Sequence, residues 1–217
     1  MVVKNMVLKR LFRNRRGIVG VEAAIVLIAF IIIAAALSYV VINMGFYTTQ
    51  KTKETMQTGL EESTAALQLD GVVTGKTDGN KKIQYVIIPV KLSTGKTSID
   101  LNKSAVVVSV YLPDDTLLNI YNGVNSTETV DLDHILIDAK NFTGIQNQGA
   151  MFALYNDDKD SVLEANEKAF LLINLGSGTI SDYQTVKIEV RTAKGTALTV
   201  VRTAPGGMPS NSFVDLG

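Results

Sequence analysis

Residues Ile18 to Ile42 read IVGVEAAIVLIAFIIIAAALSYVVI, and within them Ala23 to Leu37 is unbroken apolar sequence. Glu22 is the single ionisable carboxylate of the block. Wound as an α-helix, these residues span about 38 Å, more than the ~30 Å hydrocarbon core of a bilayer. Upstream lie Lys4, Lys9, Arg10, Arg13, Arg15 and Arg16, with no Asp or Glu among residues 1–17. The formal net charge of +0, from 21 basic and 21 acidic residues in a chain of 217, therefore averages two unlike parts. From residue 18 onward, 15 basic residues face 21 acidic ones. Cations on one flank of an apolar block place that flank in the cytoplasm and the bulk of the chain outside.

The run does not end in a turn. Tyr47 to Leu69 reads YTTQKTKETMQTGLEESTAALQL, free of proline, with Met56, Leu60, Thr64 and Leu67 on one stripe of an amphipathic helix. Asp70-Gly71 supplies a stop. A helix over about 18–68 is near 75 Å long, beyond what a globular core of this size could bury. Its first half is apolar all round and must lie in lipid or among copies of itself.

An ordinary secretory signal has a shorter apolar region and a small-residue cleavage site after it. A plain signal anchor fits the length but leaves Glu22 without a role. A cut on the cytoplasmic side, with the helix retained, accounts for both. Arg15-Arg16-Gly17 followed by Ile18-Val19-Gly20-Val21-Glu22 resembles the class III signal of type IV pilin-like proteins. Within that group, residues 10–55 look like the archaeal flagellins, or archaellins, and the rest agrees in general layout.

The resemblance implies cleavage after Gly17 by a membrane aspartic prepilin peptidase, leaving Ile18 as the new N-terminus. An unpaired carboxylate in an apolar helix is costly. The freed amine of Ile18, on the same chain or on a neighbour, would pair with Glu22 and set axial register; the alternative is a carboxylate that snorkels to the interface.

From Gly71 onward the texture changes to short β-branched runs broken by Gly, Asn, Asp and Ser. The expected strands are Ile83–Leu92, Ala105–Leu112, Thr116–Tyr121, His134–Ile137, Met151–Tyr155, Lys168–Leu175, Gln184–Arg191 and Thr196–Thr203. Ala193-Lys194-Gly195 joins the last two, and Pro89 argues for an edge or bulge in the first. The class is α+β: a long N-terminal helix followed by an antiparallel β-sandwich or barrel. Three segments follow: 1–17 as a cleaved signal, 18–70 as the long helix, and 71–217 as an outer domain. Residues 71–82 read as a linker or mobile loop, and Ala204 to Pro209 as irregular tail.

Asn156 to Glu167 reads NDDKDSVLEANE. Oxygen side chains fall at Asn156, Asp158, Asp160, Glu164 and Glu167, with the Val162 carbonyl between them, the ligand spacing of an EF-hand calcium loop. Ser161 stands where such a loop has glycine, and no flanking helices are evident. The expectation is a structural Ca²⁺ or other hard divalent cation held between strands. The alternative is a solvated acidic turn. The archaellin resemblance favours the metal. Asn102-Lys103-Ser104, Asn125-Ser126-Thr127 and Asn141-Phe142-Thr143 match the N-glycosylation tripeptide.

Zero cysteines exclude disulfide frameworks and thiolate chemistry. The single histidine, His134, beside Asp131 and Asp133, reads as a surface or strand-end residue, and GSG at 176–178 is no phosphate loop. No organic cofactor, nucleic acid or catalytic constellation is implied. The resemblance implies a structural subunit of a surface filament that swims. It would be membrane-inserted before assembly and served by the prepilin peptidase and by the platform and motor of the archaellum. Its partners in the polymer would be itself and paralogous archaellins. An adhesion pilin and an anchored monomeric binding module are the rivals.

Overall fold

The structure, a computed structural model, describes residues 15–64, 66–95, 98–142 and 145–217. Most of the expected 1–17 leader lies outside the described residues. The chain divides into two compact units between Gln57 and Thr58.

The first unit is helical. Helix α1 (Arg15–Ser63) runs through both the apolar block and its polar continuation. It stops at Ser63, short of the expected Asp70-Gly71 signal. Leu67 therefore does not extend a stripe from Met56 and Leu60: it is buried in β1 (Leu67–Leu69), whereas those two stay exposed. Ser63 and Thr64 turn their hydroxyls back to the carbonyls of Gly59 and Leu60, at 2.7 and 3.0 Å. Such back-bonding competes with the helix ladder near its end.

The second unit is a β-domain. In chain order its further elements are β2 (Thr74–Thr77), β3 (Ile83–Leu92), β4 (Ser98–Asp100), β5 (Val106–Tyr111), β6 (Thr116–Leu117) and β7 (Tyr121–Thr127). Then come α2 (Leu132–Asn141), β8 (Gly149–Tyr155), β9 (Val162–Glu164), β10 (Lys168–Asn174), β11 (Thr185–Thr192), β12 (Leu198–Thr203) and β13 (Phe213–Asp215). Among the described residues, a seven-stranded sheet runs β13-β2-β3-β10-β8-β7, with β1 also on β3. A four-stranded sheet runs β12-β11-β5-β6, and β4 pairs β9. The ladders are antiparallel except β7 on β8, which is parallel.

Period-2 alternation builds the layers. Val86, Ile88 and Val90 of β3, Phe152 and Leu154 of β8, and Leu171 and Ile173 of β10 point to one side. There they meet Val106, Val108 and Val110 of β5 and Val186, Ile188 and Val190 of β11, forming the sandwich core. The intervening Ile87, Met151, Ala153 and Leu172 point to the other side, where α2 covers them. The large sheet is thus buried on both faces, and six consecutive residues of β8, Gly149–Leu154, are all buried.

Helix α2 replaces the strand expected at His134–Ile137. Asp131 caps it, its side chain accepting from the Asp133 N–H at 3.3 Å. Ile135, Leu136 and Ala139 form its buried face, a helical spacing that a four-residue window cannot display. The expected linker 71–82 contains β2, paired with both β3 and β13. The expected strand Thr116–Tyr121 is two, broken at Asn119, whose φ is +50°.

Pro89 lies in an interior strand, not at an edge. β1 pairs residues 90–92 of β3 and β2 pairs residues 83–87, so Pro89 falls in the gap between them. Its carbonyl accepts from Asp70 N–H at 2.9 Å on that side. In a strand, N and C=O of one residue face the same edge, so the missing N–H removes no bond to β10.

The turn between β11 and β12 is closed by Gly195, with φ +93°. A Cβ there would stand 2.6 Å from the Thr64 carbonyl. Thr196 N–H donates to that carbonyl at 3.1 Å, and Lys194 Nζ lies 3.9 Å from Glu61 Oε2. The chain leaving α1 is thereby tied to this turn.

The apolar helix and the acidic loop as candidate functional sites

Two features stand apart from the packed core. The first is the surface of α1. From Val21 to Tyr47 its large apolar side chains are 50–69% exposed, on every side of the helix. Between Glu22 and Lys51 there is no charged side chain. Glu22 is itself exposed, one carboxylate amid aliphatic residues. Residues Gly17 and Ile18 fall within α1, at its first turn. Beyond Gly45 the surface turns polar, with Thr49 Oγ1 bonded to the Gly45 carbonyl at 2.8 Å and Lys51 paired with Glu54 at 2.8 Å.

The second feature is the loop between β8 and β9. Asn156, Lys159 and Ser161 adopt left-handed φ of +63°, +75° and +66°. Ser161 thus takes the conformation that glycine supplies in calcium loops. These turns draw Asp157, Asp158 and Asp160 together, each with a ligand oxygen within 4.8 Å of the others. Of the residues expected from spacing, Asp158 and Asp160 join the cluster. Asn156 donates its Nδ2 to the Asn166 carbonyl at 3.3 Å, a bond that does not involve its Oδ1. Val162 opens β9, opposite Asp100, and Glu164 is exposed on that strand.

Glu167 is buried, and its Oε2 accepts the Glu164 N–H at 2.8 Å. Burial raises its pKa, and Asp157 and Asp158 add to the rise by like-charge repulsion. Asp160 Oδ1 accepts the Val162 N–H at 2.7 Å.

Asp157 was not among the expected ligands, yet it carries the sharpest signal. Its Oδ2 accepts a hydrogen bond from Ser126 on β7, while its Oδ1 is buried with no hydrogen-bond partner. A buried carboxylate oxygen without a donor is costly. The residues present fit a hard cation, because three like-charged carboxylates offer oxygens close to one another and one oxygen of the group is buried without a donor.

Asn102 and Asn141 are exposed, and Asn125 is half-buried within β7. Thr143 lies outside the described residues. His134 is exposed on α2, 3.5 Å from Asp138.

A helix apolar on all sides, joined to a β-domain that cores itself, defines a subunit built to be held through that helix. Residues 17–202 match the archaeal-type flagellin family. The chain is 43% identical over 206 residues to probable flagellin 1 of Aeropyrum pernix, covering 94% of this chain and 100% of that one. Among solved structures, archaeal flagellin FlaB1 from Methanocaldococcus jannaschii superposes with a TM-score of 0.57 at 16% identity, over 69% of this chain and 95% of that one. The archaeal flagellum of Methanospirillum hungatei strain JF1 gives 0.52 at 23%, over 90% and 99%. Both share the fold. The chain belongs to the archaeal-type flagellin family and is a structural archaellin subunit.

Proposed function

We propose that the chain is cut after Gly17 by a prepilin peptidase, waits in the membrane, and polymerises through α1 into the swimming filament at the cell surface. The observation that carries this is the all-round exposure of apolar side chains from Val21 to Tyr47. Water is no home for that surface, and only lipid or a bundle of like helices satisfies it. Because lipid tails are already apolar, transfer from bilayer to bundle is driven by close packing and not by hydrophobicity. Glu22 pairs with the freed Ile18 amine of its own or a neighbouring chain and so fixes the axial stagger. Paralogous archaellins enter the same polymer, and the platform and motor that receive and turn it are separate proteins.

Asp157, Asp158 and Asp160, with the buried Glu167 beside them, hold a structural Ca²⁺ or similar divalent ion. It ties the β8–β9 loop to β7 through Ser126. Support comes from the orphaned Asp157 oxygen and the raised pKa of Glu167. Asn102, Asn125 and Asn141 are the candidate glycan acceptors.

N-terminal sequencing of the chain from sheared surface filaments tests the central reading. Ile18 as the first residue is expected, and Met1 would overturn it.

A further inference from the structure

The three acceptor asparagines are far apart in sequence, and the fold gathers their segments around β7. Tyr121, which opens β7, donates its hydroxyl to the Leu101 carbonyl at 2.5 Å, next to Asn102. Lys103 Nζ reaches Asn122 Oδ1 at 3.4 Å. Asn125 lies in the strand itself. Asn141 ends α2, and the ring of the next residue, Phe142, stands 3.9 Å from the Cβ position of Gly123. β7 closes one end of the large sheet, with β8 on one side and no described strand on the other. Such an edge offers unpaired N–H and C=O groups to any passing strand.

The acceptors differ in how they are held. Asn102 and Ser104 are both exposed, on a turn closed by Ala105 N–H to the Asn102 carbonyl at 2.9 Å. Asn125 stands in register with Ala153, so its side chain shares the sheet face that α2 covers. The hydroxyl that completes its tripeptide belongs to Thr127, which is buried, and that oxygen accepts the Thr129 N–H at 3.4 Å. The β7 backbone is itself paired to β8 through Thr127. A transferase that must reach both the amide and the hydroxyl of its tripeptide finds both exposed at Asn102 and Ser104, whereas at Asn125 the amide is half-buried and the Thr127 hydroxyl is buried and engaged.

We propose that the folded β-domain presents Asn102 to glycan transfer and withholds Asn125, which sets a sugar beside the open edge of β7. This rests on the glycosylation reading above. In the transfer, Asn102 Nδ2 bonds to the anomeric carbon of an oligosaccharide activated as a lipid-linked phosphate. The anomeric C–O bond to phosphate breaks, its electron pair leaves with the lipid phosphate, and one amide proton passes to a carboxylate of the transferase. The bulky sugar then keeps strands of neighbouring chains from adding to β7.

Glycopeptide mass mapping of filaments built from the unaltered chain, Asn102→Gln and Asn125→Gln tests this. Sugar mass is expected on the Asn102 peptide, absent from the Asn125 peptide, lost in Asn102→Gln and unchanged in Asn125→Gln. Sugar on Asn125, or a bare Asn102 beside a modified Asn141, overturns the assignment and leaves glycosylation itself standing. Bare polypeptide mass at all three sites overturns both.

Discussion

Helix α1 and the β-domain contain similar residues and solve opposite problems. In the β-domain, aliphatic side chains alternate, so each strand sends one set into the sandwich and the other to α2 or water. In α1, from Gly20 onward, the aliphatic side chains have no preferred side and none is buried. The β-domain is finished as a monomer. The helix is a surface awaiting partners, and its stability is a property of the assembly.

That contrast can be broken most decisively with a pair of truncations. Phe152→Ala should cost the β-domain about 3–5 kcal/mol, because the ring is fully buried and stacks edge-on to Tyr121 at 5.7 Å. Ile32→Ala, at a residue 63% exposed, should leave thermal unfolding of the detergent-solubilised chain within about 0.5 kcal/mol while lowering filament yield. Equal effects on both readouts would erase the distinction between the regions.

The acidic loop gives the next largest effect. If it holds Ca²⁺, a hundredfold excess over Kd should stabilise the β-domain by about 2.7 kcal/mol, read as a shift in melting temperature against chelator. Without metal the sign with pH is opposite. A carboxyl with a raised pKa binds its proton more tightly in the folded chain, so its contribution is fully present below the ordinary glutamate range and lost as pH rises through the raised value. Glu167→Gln should therefore flatten the pH dependence in chelator and abolish most of the calcium shift. An unchanged calcium shift would remove Glu167 from the site.

The smallest effect sharpens the contrast within the core. Tyr121→Phe keeps the ring and deletes the hydroxyl that donates to the Leu101 carbonyl, so a loss of about 1 kcal/mol is expected in denaturant unfolding. The tyrosine pKa is raised, by burial first and then by the nearby Asp100, so the hydroxyl stays a donor well above neutral pH.

The sequence disclosed what depends on composition and simple periodicity. The apolar helix needed only its own residues, β3, β5 and β11 carry enough β-branched side chains to be seen alone, and β8 and β10 stand out as short apolar runs. What escaped depends on partners distant in the chain. β2, with two threonines, a glycine and a lysine, becomes a strand only because β3 and β13 flank it. α2 escaped because HILI is rich in strand-formers, and only the Asp131 cap and Ala139 reveal the helical turn. In the acidic loop, even spacing pointed past Asp157. Three left-handed residues rotate that carboxylate inward, and the donor that meets it, Ser126, comes from a strand 31 residues away. Spacing along a loop reports which oxygens exist, and backbone conformation decides which converge.

β8 runs through the middle of the domain with two ladder partners and no side toward water. Gly149 to Leu154 can therefore neither gain a charge nor change size without disturbing two layers at once. A mutational scan of the chain should show a window of silence there, flanked by permissive β12 and the outer loops. Diversity among such subunits has room to accumulate on the rind of the domain while this central ribbon holds its form.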